Sequence, residues 1–522
     1  MIREIFRRKC LRLWLCKPEY MERTKWENRF VLLRFRKKNY MMFLKDLKRF
    51  KMERLYDKLK AYSESDFYAF HMPGHKRNKA LLGIELPYDL DITEIDGFDD
   101  LHHADGILKE EQERAARVFG AEESHFLVNG STAGILSAVM GCTHRGDKIL
   151  VARHCHKSIY HAIYMNGLVP RYVYPEFDIS MHMNGEISKE DVAKALAAEP
   201  DIKAVVIVSP NYDGVVSDVK GIAEVVHSYG IPLIVDEAHG PHFGFHPAFP
   251  ECANDLGADV VINSLHKTLP SLTQTAILHI NGKLANRRRI KKYLDMLQSS
   301  SPSYIFMASL DACVDFLDGK CEEAFELYVE RLQKFREELE LLQHLQILRT
   351  EHYDISKVVI STANANITSP ELTDRLRKEY HLEMEMTGGT YVLAMTTVAD
   401  TQEGLDRLKA ALLEIDGQLE AKTAVSGSIE ISGELPRLEQ YFTPQEAADR
   451  EEDGEAEEIP WKESEGHISL EYAYLYPPGS PVIVPGERIS REAVELLCYY
   501  ETQNLQIEGI QTEGKIKVWK HE

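Results

Sequence analysis

Two stretches decide the fold: Pro232-Leu-Ile-Val-Asp-Glu-Ala-His-Gly240 and Asp259-Val-Val-Ile-Asn-Ser-Leu-His-Lys267. Each is a short apolar run that stops abruptly at polar residues. Three further runs behave alike: His125-Phe-Leu-Val, Lys148-Ile-Leu-Val and Ala204-Val-Val-Ile-Val. Between them lie amphipathic segments long enough for helices. Strands that alternate with helices form βαβ units, and a run apolar on both faces is a strand buried on both faces. From about residue 110 the chain therefore reads as α/β with a mostly parallel sheet. In such sheets ligands bind beyond the carboxyl ends of the strands. The clusters Asn129-Gly-Ser-Thr, Ser209-Pro-Asn, Asp236-Glu-Ala-His and Asn263-Ser-Leu-His-Lys are candidates for one shared site.

Lys267 is the centre of that site. An amine beside the end of a buried strand can form a Schiff base with an aldehyde. Asp236 closes the strand Pro232-Leu-Ile-Val, where a carboxylate is costly without a cationic partner or hydrogen bonds. Pyridoxal phosphate supplies both an aldehyde and a protonated ring nitrogen, and a carboxylate at that nitrogen keeps the ring an electron sink. The 31-residue separation of Asp236 and Lys267 accommodates one further α/β unit. A carboxylate capping the next helix is the bland alternative for Asp236. The loop Val128-Asn-Gly-Ser-Thr-Ala-Gly follows a strand and opens an apolar helix pattern. Small and hydroxyl residues there offer free N–H groups and a positive dipole end to one phosphate. The spacing matches neither a Walker loop nor a dinucleotide fingerprint.

Histidines gather at the same strand ends: His154, His156 and His161, then His239, His242 and His246, then His266. Pro241, Pro247, Gly240 and Gly244 break any helical face that could align the middle three as metal ligands. No metal is expected. An imidazole stacked on the pyridoxal ring, or donating to its phosphate, explains these positions better.

Composition narrows the class. The 522 residues exceed what one hydrophobic core organises, so at least two domains are expected. Net charge is −21, split into +12 for residues 1–51 and −33 for the rest. A body this acidic is no nucleic-acid binder and favours cationic substrates. No apolar run approaches a membrane span, and no membrane contact is expected. Eight irregularly spaced cysteines without a CxxC pair read as free thiols in a reducing cytosol, hence a cytoplasmic protein.

Seven ordered motifs resemble the bacterial Orn/Lys/Arg decarboxylases: Phe70-His-Met-Pro-Gly-His-Lys, Asp99-Asp-Leu-His, Val128-Asn-Gly-Ser-Thr, Cys155-His-Lys-Ser, Asp236-Glu-Ala-His-Gly, Ser264-Leu-His-Lys and Tyr476-Pro-Pro-Gly. The resemblance covers about residues 52–522 and is to the shorter branch, which includes arginine decarboxylases of polyamine synthesis. It implies the aspartate-aminotransferase-like fold, pyridoxal 5′-phosphate (PLP) as cofactor, and decarboxylation of arginine before lysine before ornithine. It implies roles as well. Lys267 would hold the cofactor covalently, Asp236 would pair with the ring nitrogen, and His156 would stack on one ring face. Ala238 would pack on the other face, with His239 close by. Gly130, Ser131, Thr132, Ser264 and His266 would bind the phosphate. Lys267 or His156 would return the proton after CO2 is lost. Homodimers or larger assemblies with shared sites follow, with Ser299-Ser-Ser-Pro-Ser-Tyr at the interface. Glu487, in Pro485-Gly-Glu, is the candidate partner for the substrate's distal cation; a surface glutamate is the alternative.

The expected division is a basic leader over 1–51, read as sequence upstream of a start at Met52; an N-terminal arm over 52–95; and a cofactor-binding domain over 96–315. A small α/β domain over 316–422 opens with one helix over 316–345. An acidic linker over 423–465 holds a solvated charge run, and a C-terminal segment covers 466–522. Rival functions are an aminotransferase or β-eliminating lyase of the same fold, a regulatory homologue that binds the cofactor without turnover, and a tether carried by the leader.

Overall fold

The computed structural model describes residues 53–178, 183–348, 350–422, 435–475, 480–502 and 505–520. The basic leader and the motif Tyr476-Pro-Pro-Gly lie outside the described residues. The apolar runs form one seven-stranded sheet. Its strands are β1 (Glu123–Leu127), β2 (Lys148–Ala152), β3 (Val169–Val173), β4 (Val205–Val208), β5 (Leu233–Asp236), β6 (Val260–Asn263) and β7 (Ala276–Ile280). The spatial order is β1-β7-β6-β5-β4-β2-β3. Only β7 runs against its neighbours β1 and β6. The other six share one direction, so β1, β2, β4, β5 and β6 all end at the same edge. Every residue of β4, β5 and β6 is buried, as continuous Val/Ile/Leu runs require.

Helix α1 (Gly130–Cys142) follows β1, and α2 (Lys157–Met165) follows β2. Helix α3 (Arg287–Leu297) lies across α1 at very close range, because α1 presents glycine there. A Cβ built on Gly141 would sit 2.4 Å from Ile290 Cγ1 and 2.8 Å from the Ile290 backbone.

The expected single helix over 316–345 is two helices. Helix α4 (Tyr304–Leu317) ends at Asp318, Gly319 turns the chain at φ +75°, and α5 (Glu322–Glu338) begins after Cys321. The glycine breaks a pattern whose apolar spacing reads through it. After α5 comes a four-stranded antiparallel sheet: β8 (Gln346–Ile347), β9 (Lys357–Ser361), β10 (Met386–Thr387) and β11 (Tyr391–Met395), in the order β8-β9-β11-β10. Its Val358, Ile360 and Val392 share a core with Phe325, Leu332 and Tyr304.

The acidic run expected as a solvated loop is also regular structure. Thr443 caps α6 (Pro444–Glu452), with Glu446 bonding back to the Thr443 N–H. Ala456–Pro460 then pairs antiparallel with Lys515–Trp519. The charges stay at the surface within this pairing: Glu457 and Glu458 are exposed, while Ile516 and Val518 of the partner strand are buried.

The close α1–α3 contact gives a direct test. Gly141→Ala must push Ile290 and its backbone aside, and urea unfolding should show a loss of about 1–3 kcal/mol.

Candidate functional site

Strand direction brings the candidate residues together. Asp236 ends β5 opposite Ile262 of β6. One residue beyond β6, Ser264 starts the one-turn helix Leu265–Thr268 that carries Lys267. The glycine loop leaves β1 at the same edge, and His156 caps α2 just beyond β2. Lys267 Nζ lies 2.8 Å from His239 Nε2, on the loop that follows Asp236.

The Asp236 carboxylate is buried, and the hydrogen bond it accepts comes from the Ala238 N–H at 3.1 Å. Burial pushes its pKa up; the Lys267 charge and that N–H pull the other way. Such a carboxylate fits a cationic ring nitrogen. Burial lowers the Lys267 pKa; Asp236 opposes this, Lys357 reinforces it, and Glu385 opposes it weakly. His156 is lowered to about 4, first by burial and then by Lys267, Lys157 and His161. Its Nδ1 accepts the Ser158 N–H at 3.2 Å and lies 2.8 Å from Ser158 Oγ, so the ring proton belongs on Nε2.

The glycine loop is held by glutamines the sequence did not single out. Gln298 Oε1 accepts the Val128 N–H at 2.9 Å, and Gln274 Nε2 donates to the Val128 carbonyl at 2.7 Å. The Gly130 N–H donates to the Gln274 carbonyl at 2.9 Å, and Gly130 takes φ +71°. Asn129 makes no side-chain cap to α1, so the first-turn N–H groups beyond Gly130 remain available to an anion. The Ser131 and Ser264 hydroxyls are in hydrogen-bond contact, converging from two strand ends. Thr132 is exposed at the same helix start, and His266 Nδ1 lies 2.8 Å from the Thr275 carbonyl. A helix N-terminus with two hydroxyls, a lysine and a buried carboxylate together fit PLP.

The clustered histidines diverge. His239 meets Lys267, His246 meets Glu326 at 3.2 Å, and His242 lies between Thr268 Oγ1 at 2.9 Å and Asp354 at 3.1 Å. No group of three His, Cys, Asp or Glu side chains is placed to hold a metal among the described residues.

Glu487 is neither a surface group nor a substrate partner. It is buried, and both its oxygens receive the Arg153 guanidinium, at 2.7 and 2.8 Å. Arg153 also donates to the Val482 carbonyl at 2.9 Å, and Glu487 accepts the Val484 N–H at 2.8 Å. The pair fastens the C-terminal region to the end of β2. A buried carboxylate so engaged is committed to a guanidinium of the chain itself rather than open to a ligand's cation.

Comparison with known proteins agrees with this geometry. Residues 53–421 match the family model "Orn/Lys/Arg decarboxylase, major domain", and residues 433–514 match its "C-terminal domain". An arginine decarboxylase of Bacillus subtilis (strain 168) is 33% identical over 471 residues, 87% of this chain and 95% of its own length. The lysine decarboxylase LdcA of Pseudomonas aeruginosa is 24% identical, covering 83% of this chain and 73% of its own. The structure of the E. coli constitutive lysine decarboxylase superposes with a TM-score of 0.74 at 21% identity, over 89% of this chain and 82% of that one. The chain belongs to the Orn/Lys/Arg decarboxylase family and is a decarboxylase of a basic amino acid with the aspartate-aminotransferase-like fold.

Asp213 offers a pH test of the site's rim. It is buried, accepts the Tyr391 hydroxyl at 2.6 Å, and is raised to about 6 by burial, against that hydrogen bond and the Lys357 charge. Folded protein keeps this proton up to about pH 6, whereas an unfolded chain loses it near the ordinary aspartate value of 3.8. Raising the pH through this window therefore costs wild-type stability. Urea titrations should show Asp213→Asn gaining on wild type between pH 4 and 7.

Proposed function

We propose that the chain is a PLP-dependent arginine decarboxylase that forms agmatine and CO2. The observation that carries this reading is the convergence of Lys267, Asp236 and the Gly130–Thr132 helix start at one sheet edge. Arginine is favoured over lysine because relatives named arginine decarboxylase reach 32–33% identity, while those named for lysine lie at 23–24%. The acidic body suits a cationic substrate.

Bound PLP supplies an electron-poor ring that accepts the electron pair left when CO2 departs. The rest falls to the chain. Lys267 Nζ is the covalent anchor. Ser131, Thr132, Ser264, His266 and the first-turn N–H groups hold the phosphate. Asp236 keeps the ring nitrogen protonated. Ala238 and His156 would lie against the bound ring, and His239 steadies Lys267. Lys267 Nζ and His156 Nε2 are the groups able to return a proton to the substrate carbon.

A homo-oligomer with shared sites is part of this reading. The arm exposes Phe67, Phe70 and Leu81 at 68, 90 and 74%, more apolar surface than an isolated soluble segment carries. A cytoplasmic setting and a place in polyamine synthesis fit the six free cysteines among the described residues and a cationic product.

The test is CO2 and amine release from PLP-loaded protein given arginine, lysine and ornithine separately. Agmatine with CO2 is expected, abolished by Lys267→Ala and reduced about 10²–10³-fold by Asp236→Asn. No CO2 from any of the three would sink the reading.

A further inference from the structure

A second lysine lies beneath the site. Lys357 opens β9 of the small domain and is fully buried. Its Nζ donates to Asp354 Oδ2 at 3.1 Å and reaches the His239 carbonyl oxygen at 3.4 Å. The same His239 meets Lys267 Nζ through its ring at 2.8 Å. One residue therefore touches both amines, with its backbone on one side and its imidazole on the other.

The anchor of Lys357 is elaborate. Asp354 is fully buried and accepts the Ser356 N–H at 2.9 Å and the Ser356 hydroxyl at 2.7 Å. It also meets His242 Nε2 at 3.1 Å, and His242 Nδ1 lies 2.9 Å from Thr268 Oγ1, the residue next to Lys267. The chain of contacts Thr268–His242–Asp354–Lys357–His239 thus leaves the Lys267 helix, enters the small domain and returns to the imidazole on Lys267. Lys357 also packs tightly, since a Cβ on Gly214 would sit 2.8 Å from its Cγ. Burying a lysine costs several kcal/mol unless it is paired. A plain apolar residue would close this space at no such cost.

We propose that Lys357 is an electrostatic positioning residue for Lys267: a fixed cation, anchored by Asp354 and directed at His239, that favours the uncharged, nucleophilic form of the Lys267 amine. The inference rests on the reading of Lys267 as the reactive lysine. A cation held beside a desolvated lysine is a recognised way to activate it. The groups facing Lys267 are Asp236 from β5, His156 from α2, His239 from the intervening loop, His266 beside it, and Lys357 and Glu385 from the small domain. Asp236 and Glu385 favour the charged amine. His156 and His239 are held neutral by burial and by Lys267 itself, so Lys357 is the facing cation that opposes it. Asp354 makes its contacts to Lys357, His242 and Ser356.

The test is competitive acetylation of the full chain, stripped of cofactor, across pH 6–11, with Lys267 followed by peptide mass spectrometry. Wild-type Lys267 should label with a midpoint at least about one pH unit below an ordinary lysine. Lys357→Met should move the midpoint up by about a unit. Because that variant strands Asp354, whose unpaired negative charge would itself raise Lys267, the double variant Asp354→Asn/Lys357→Met is the matched control, and it should show a smaller but still upward shift with an unchanged circular dichroism spectrum. An ordinary lysine midpoint in wild type, or a folded double variant with the wild-type midpoint, would overturn the proposal. Turnover enters neither readout, so failure of the arginine decarboxylase reading would be seen separately.

Discussion

Asp236, buried, and Lys267, half-buried, stand at one edge of a mostly parallel sheet, each pushed by burial towards its uncharged form, and Lys267 hydrogen-bonds His239 rather than a carboxylate. An unpaired buried carboxylate is expensive, and a buried lysine tends to shed its proton. Much of the surrounding structure serves to hold the two apart in fixed places. Strand β5 sets Asp236, the Ala238 N–H orients it, and the turn after β6 sets Lys267. The cost is incurred where a cofactor with a cationic nitrogen and an aldehyde would relieve both groups.

The elements around this pair are themselves tied from several directions. Gln274, just before β7, and Gln298, just after α3, clamp the glycine loop. Glu237, next to Asp236, accepts the Ala253 N–H at 2.8 Å and an Asn263 amide at 3.0 Å, which fixes the start of the His239 loop. Burial pushes Glu237 up to about 7, so part of this brace is a neutral acid near physiological pH. Arg153 and Glu487 join the C-terminal region to the end of β2, three residues before His156. Such a pair is poor evidence of net stability, but breaking one side of it is costly, and so it fixes geometry.

The sheet, its direction and the residues at its edge were legible in the sequence because each rests on a local signal. Fully apolar β-branched runs mark strands buried on both faces, and polar residues at their ends mark the open edge. What was not legible depends on distance in sequence. Lys357 looks like any lysine at the start of a strand, and its role comes from Asp354 and from His239, 118 residues away. Gln298 is equally silent, since its partner Val128 is 170 residues away. Glu487 was misread because a glutamate in a turn motif has no sequence mark for a guanidinium 334 residues distant. The acidic stretch 449–458 was misread because charge count outweighed the capping box at Thr443 and the alternation of Ile459 with exposed neighbours.

The most direct measurement of the central claim is borohydride reduction of the protein purified in the presence of PLP, followed by peptide mapping. The account predicts one phosphopyridoxyl group per chain, on Lys267 and on no other lysine. An adduct fixed at a different lysine, or none on Lys267 in folded protein, would contradict it.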